Sequence, residues 1–186
     1  MSMPYFSDET YKDLTTLDPG KYEYCTFQTC NFEQADLSEI AFWECTFEEC
    51  DLSNADIRDA DFREVAFKSC KLLGIAFTTT KDFLFSVSFE KCQLDYANFT
   101  AKQMPHTHFK DCSLKEADFS QASLNQALFS DCDLHRAIFE QTNLEKADFR
   151  TASNFVIDPE HNILKKARFS STNLSGLLKK YNLDIE

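Results

Sequence analysis

ADFSQ ASLNQ ALFSD CDLHR AIFEQ TNLEK ADFRT, residues 117–151, divides into groups of five with nothing left over. The third position of each group is large and apolar: Phe119, Leu124, Phe129, Leu134, Phe139, Leu144 and Phe149. The first position is small, as in Ala117, Ala122, Cys132 and Ala147. Working outward, the same phase runs back through Leu114, Phe109, Met104, Phe99, Leu94 and Phe89, and after a slip from Phe77 down to Phe27. A period of five is neither the 3.6 of an amphipathic helix nor the 2 of an ordinary strand. It marks a repeat protein.

A short extended piece that turns once every five residues buries the centre i and the small residue i−2, and leaves the other three positions outside. Longer spacings give the number of sides. Phe27, Phe47 and Phe67 recur every twenty residues, as do Phe89, Phe109, Phe129 and Phe149. Cys30, Cys50 and Cys70, then Cys92, Cys112 and Cys132, do the same. Between the two sets the spacing is twenty-two, so one two-residue insertion within 78–83 joins both ladders. The pattern predicts an all-β solenoid, a parallel β-helix with four pentapeptides per coil. About seven coils stacked at ~4.8 Å make a rod ~33 Å tall. Residues 1–20 are expected to cap it, 21–154 to form the repeats, and 155–186 to form a C-terminal cap and dimerisation segment. With only Gly20, Gly74 and Gly176 in the chain, the corners cannot depend on glycine.

All eight cysteines fall two residues before a centre, which assigns them to the interior as small buried side chains. There is no C-x-x-C pair for zinc, no glycine-rich phosphate loop, nucleophile elbow or H-E-x-x-H. His106 and His108 lie near Cys112, but on outward positions where Cys112 faces inward. Carboxylates are placed on convex faces and not in a cleft. No catalytic residue, cofactor, metal or small-molecule substrate is therefore expected, and no enzyme activity.

The net charge is −12, and it is uneven. Residues 1–154 carry 27 acidic against 14 basic side chains, a balance of −13, while 155–186 carry 4 against 5, a balance of +1. An acidic body repels phosphates, which argues against direct nucleic-acid binding and suits a basic partner. No apolar run approaches a membrane span, and the polar N-terminus lacks a signal-peptide pattern. A cytoplasmic protein without membrane contact is expected.

The period breaks in two places. One is the insertion, with Lys81, Asp82, Phe83 and Phe85. The other is 102–106, where Lys102 takes an inward small position and Pro105 follows the centre. A lysine there is costly to bury alone, so a local bulge is expected. Near the C-terminus Ser171 or Thr172 can cap a helix carrying Leu174, Leu177, Leu178 and Tyr181 at i, i+3, i+4 and i+7. Leu183 and Ile185 then alternate as a short strand. These six residues form the expected homodimer interface.

The motif A-(D/N)-(L/F)-x-x, seen as Ala35-Asp36-Leu37, Ala55-Asp56-Ile57, Ala117-Asp118-Phe119 and Ala147-Asp148-Phe149, resembles that of the pentapeptide-repeat proteins. The resemblance implies a right-handed quadrilateral β-helix. The C-terminus, with Ile157-Asp158-Pro159, Ala167-Arg168-Phe169 and Leu183-Asp184-Ile185, is similar to that of the topoisomerase-protecting branch, which includes the quinolone-resistance (Qnr) and albicidin-resistance proteins; Cys70-Lys71-Leu72-Leu73-Gly74-Ile75 also looks like a segment of it. That likeness implies a dimeric DNA mimic that engages DNA gyrase or topoisomerase IV and protects it from drugs or toxins. The two long loops of the plasmid Qnr proteins are absent here. A mimic's charge is expected on the face carrying Asp36, Glu39, Asp56, Asp59, Asp118 and Glu140, where Arg58 is the main offsetting cation. Two other readings stand beside it: an Asp before each centre supports the coil turn, and the chain is a generic acidic interaction scaffold.

Overall fold

The computed structural model describes residues 3–184. Each pentapeptide is a short extended piece ending in a corner, and four pieces close one coil. Eleven three- or four-residue strands fall on two of the four sides. β1 (Tyr5–Ser7), β3 (Lys21–Glu23), β5 (Ala41–Trp43) and β7 (Asp61–Arg63) form a four-stranded parallel sheet. β2 (Thr10–Lys12), β4 (Thr26–Gln28), β6 (Thr46–Glu48), β8 (Val65–Lys68), β9 (Val87–Glu90), β10 (His108–Lys110) and β11 (Leu128–Ser130) form a seven-stranded one. Single parallel bridges such as Asp36↔Asp56 and Gln93↔Ser113 join the coils on the remaining sides.

The register is the one read from the sequence. Phe27 pairs with Phe47, Phe109 with Phe129, and across the insertion Phe67 pairs with Phe89. A spacing of twenty holds to Lys81, whose N–H meets Ala60, and twenty-two applies from Val87, which pairs with Val65. The two extra residues are thus absorbed between Lys81 and Val87, slightly later than the 78–83 window. The segment before residue 20 stacks on the first coil, with β1 and β2 paired in register to β3 and β4.

The corners carry a conformation that the low glycine content conceals. Among the described residues twenty-eight non-glycine positions have positive φ, mostly two positions after a centre, including Glu39, Glu44, Asp59 and Glu64. A left-handed L-residue costs about 1 kcal/mol. At most corners its N–H donates to the next coil, as from Glu39 to Arg58 O at 2.8 Å, and that bond holds the corner in place.

Burial drives the assembly. Tyr11, Phe27, Phe47, Phe67, Phe89, Phe109, Phe129, Phe149 and Phe169 make one continuous ring stack with centroids 4.6–5.4 Å apart. Its eight steps span about 40 Å, longer than ~33 Å because Tyr11 and Phe169 extend the column. A second stack packs edge-on against it and changes sides at the insertion. Below, it is Phe6, Tyr22, Phe42 and Phe62; above, it is Phe77, Phe99, Phe119 and Phe139. Met104, Leu124 and Leu144 fill the side that the rings vacate. The cysteines all lie buried as free thiols. Several do more than fill space: Cys50 Sγ donates to Phe27 O and Cys70 Sγ to Phe47 O in the coil below, as Thr142 Oγ1 does to Phe119 O. Burial pushes the Cys45 thiol up to about 12.

No bulge forms at 102–106. The coil runs on in register, with Gln103 bridging Ser123 and Met104 N–H bonded to Ser123 O. Lys102 is buried after all, 1% exposed, because the insertion supplies its partners. Its ammonium donates to Thr80 O and Asp82 Oδ1, each at 2.8 Å, and lies 4.5 Å from the centroid of the Phe85 ring. Burial lowers its pKa, and Asp82 opposes that shift. The side chain therefore staples the insertion to the coil above.

Lys102→Met leaves two carbonyls without their donor and should cost about 1–3 kcal/mol. Asp82→Asn, at an exposed carboxylate, should cost less than about 1 kcal/mol. Urea midpoints of the two variants check that order.

Candidate partner-binding surfaces

The Asp of the repeat motif has a local task. In the pentapeptide 118–122 four of the five backbone N–H groups find carbonyls: Asp118 bonds Ala97 O, Phe119 bonds Ile138 O, Gln121 bonds Glu140 O and Ala122 bonds Phe119 O. The fifth, on Ser120, is taken by Asp118 Oδ1 at 2.8 Å. The same bond recurs from Ser38 to Asp36, Ser53 to Asp51, Arg58 to Asp56 and Arg150 to Asp148. An Asx side chain one residue before the centre thus completes the hydrogen bonding of the coil. The position after the centre has no coil partner for its N–H, and that is where Pro105 stands.

This divides the expected acidic face by chemistry. Asp36 is held below the usual carboxylate range by Ser38, through its hydroxyl and then its N–H. Asp56 is held low by the Arg58 guanidinium, 2.6 Å away, which also cancels its charge. Asp36, Asp56 and Asp118 all serve their own turns. Glu39 and Asp59 stand exposed at successive corners of one edge, with no ion-pair partner among the described residues. Glu140 lies 3.5 Å from His161. The six do not form one continuous patch. Ala76, Asn98, Thr79 and Ala101 occupy the rungs between the lower four residues and the upper Asp118 and Glu140.

Two carboxylates of the same kind lie outside that set. Glu44 and Glu64 occupy the corner on the other side of the four-stranded sheet, exposed and without an ion-pair partner among the described residues. The signal was available: they hold the same position after their centres as Glu39 and Asp59, one pentapeptide on. Between the two acidic edges an outer column alternates aromatic and cationic side chains. Lys21 Nζ lies over Tyr5 at 5.3 Å and over Trp43 at 3.4 Å, and the Arg63 guanidinium lies over Trp43 at 4.1 Å and Phe83 at 5.2 Å. Glu23 and Asp61 neutralise the two cations. The column ends in the insertion, where Phe85 turns inward while Phe83 and Leu84 remain 70% and 62% exposed. Below them a cleft of about 380 Å³ is lined by Trp43, Glu44, Glu64, Leu84, Phe85 and Pro105, among others.

The C-terminal helix is shorter than expected. α1 (Ser175–Leu178) makes one turn, followed by a 3-10 turn (Lys179–Tyr181), and neither Ser171 nor Thr172 caps it. Ser170 and Thr172 hydroxyls bond each other instead. Leu177 packs against the core, Leu178 is half-buried, and Leu174, Tyr181 and Leu183 are exposed. Leu183 belongs to no strand, and Ile185 lies outside the described residues. The tail is tied down by Lys180, which reaches Asp158 and Glu160 at 2.7 Å each, and by the Tyr181 hydroxyl donating to Glu160.

Among the described residues no group of three or more His, Cys, Asp or Glu is arranged to hold a metal ion. No helix among them is long and apolar enough to cross a membrane. The family model for the pentapeptide repeat region matches residues 21–99 and 82–154. The chain belongs to the pentapeptide-repeat family. No curated protein matches the sequence significantly. Among solved structures, a trypsin-treated variant of QnrB1, a plasmid-mediated fluoroquinolone resistance protein, superposes with a TM-score of 0.63 at 19% identity, covering 100% of this chain and 99% of its own. Full-length QnrB1 gives 0.61 at 18% identity, over 97% and 100% of the two chains. At such identity the likeness is one of fold, and it extends through the C-terminal cap of this pentapeptide-repeat protein.

The tail contacts carry a pH dependence. Lys180 holds the Asp158 carboxyl below 3.8 and the Glu160 carboxyl below 4.5, their ordinary values. Groups with depressed folded pKa stabilise above the unfolded pKa and lose that contribution as pH falls through the folded one. Limited proteolysis should leave the segment after Ser175 resistant at neutral pH and open it below about pH 4. Lys180→Met should open it at neutral pH.

Proposed function

We propose that this pentapeptide-repeat protein is a DNA mimic that binds a type II topoisomerase, DNA gyrase or topoisomerase IV, and protects it from quinolone-type drugs or toxins. The observation that carries the reading is the straight rod of net charge −12 with exposed, unpaired carboxylates along its edges. A channel built for duplex DNA is lined with cations and attracts such a rod by the same long-range field that attracts phosphates. The likeness of the whole chain to the fold of QnrB1, whose name declares fluoroquinolone resistance, supports the same reading. Gyrase supercoiling with the purified protein, with and without ciprofloxacin, tests it. Absence of inhibition, of drug protection and of binding would refute it.

The corner carboxylates are the informative ones to reverse. Lys91, Lys146 and Lys166 already occupy equivalent left-handed corners, so Glu39→Lys with Asp59→Lys leaves the coil intact. The pair should lower gyrase affinity at least tenfold with unchanged circular dichroism. Asp36→Lys or Asp118→Lys would weaken the coil as well, because each removes a turn acceptor.

That turn chemistry also favours a second reading. Asp36, Asp56 and Asp118 have a structural task as Asx acceptors, and Arg58 cancels the charge of one of them, so their presence does not by itself call for a cationic partner. A protein inert toward both topoisomerases but retaining partners in the cell would fit it.

We further propose that the protein is a homodimer joined through its C-terminal end. Leu174, Tyr181 and Leu183 are exposed there at 43%, 51% and 58%. Sedimentation should give a dimer at micromolar concentration, and Leu174→Ser with Leu183→Ser should give a folded monomer.

A further inference from the structure

The cleft under the insertion differs in character from the rest of the surface. Its floor is aromatic, with Trp43 and the buried Phe85, and its upper rim is apolar, with Leu84 and Pro105. Phe83 and Leu84 project beside it, the two most exposed large apolar side chains among the described residues. Its other rim is acidic. Glu44 and Glu64 lie on successive coils, both at left-handed corners that fix the backbone beneath them. Arg63 also lines the cleft, but its Nε and Nη2 pair with Asp61 and its guanidinium lies over Trp43, and it makes no ion pair with Glu44 or Glu64. The staple from Lys102 to Asp82 keeps the segment in position without any ligand. An apolar wall facing unpaired carboxylates matches a cationic side chain carried between apolar ones.

We propose that this cleft is a docking site for a basic segment of a partner protein, an arginine or lysine flanked by aliphatic residues. The cation would lie between the Glu44 and Glu64 carboxylates, and the aliphatic neighbours would pack on Leu84, Phe83 and Pro105. The site stands apart from the acidic edge of Glu39 and Asp59, and it does not require that the partner be a topoisomerase.

Trp43 is the single tryptophan of the chain, so fluorescence excited selectively at tryptophan, away from the six tyrosines, reports on this cleft. The full-length protein is titrated with the peptide acetyl-Leu-Arg-Leu-Arg-amide and, in parallel, with acetyl-Leu-Glu-Leu-Glu-amide. A saturable change with the first and none with the second is expected, weakening as salt is raised. Glu44→Gln with Glu64→Gln should weaken binding roughly tenfold. Those variants keep the coil, since Gln34, Gln121, Gln126 and Gln141 occupy equivalent corners. Phe83→Ser with Leu84→Asn should weaken it several-fold, and Asn suits the left-handed backbone at residue 84. Equal responses to both peptides, no response, or affinities untouched by either double variant would overturn the proposal. So would a change of oligomeric state on Phe83→Ser with Leu84→Asn, which would make a second copy the occupant. The readout contains no topoisomerase, so its outcome is independent of the supercoiling assay.

Discussion

Everything in this rod depends on the backbone hydrogen bond from one coil to the next. It sets the rise, and it holds the strained corners. A left-handed residue at every fifth position would be unfavourable in an isolated peptide. Here its N–H is fixed to a carbonyl of the following coil, so each corner is constrained from outside the pentapeptide that makes it. The one donor this ladder does not reach, after the centre, is served by an Asx side chain or replaced by Pro105. The repeat motif is in this sense a hydrogen-bonding solution before it is anything else.

Within that frame the interior behaves as a constant cross-section. Most coils hold one ring of the long stack, a second ring packed edge-on to it, and two aliphatic side chains, while Phe32 and Phe77 each add a third ring to their coils. When the insertion displaces the second ring from one side, Phe77 takes it up on another, and Met104, Leu124 and Leu144 fill the gap. Close packing accompanies this exchange: Phe62, Phe67 and Phe77 share the coil where the second stack changes sides, and their rings pack against one another. Lys102 belongs to the same event. An ammonium replaces an alanine only where the insertion brings two carbonyls and a carboxylate within reach.

Charge on the outside has two origins that look alike in the sequence. Asp36, Asp56 and Asp118 serve the turn as Asx acceptors, whereas Glu39, Asp59, Glu44 and Glu64 make no turn bond and no ion pair among the described residues, Glu44 lying beside the Tyr24 hydroxyl. Only the second group is free to recognise something else. It lines both edges of the four-stranded sheet, and the aromatic–cation column from Tyr5 to Phe83 runs between them.

The fivefold period, the spacing of twenty and the slip of two were enough to determine the fold, the core and the inward cysteines, because burial repeats with the chain and needs no partner from elsewhere. The acidic corners were legible too, since an outward position is defined by the same phase. Three matters were decided only by tertiary structure. Lys102 in an inward position predicts a bulge, yet it is a buried staple, because its partners lie about twenty residues away. The capped helix gives way to one helical turn tied down by Lys180, for its anchor is Asp158 and Glu160, across the coil. The cleft at Trp43 arises from three successive coils and an insertion meeting side by side. A periodic sequence specifies what each residue does within its own unit; where units differ, only their stacking brings the differences together.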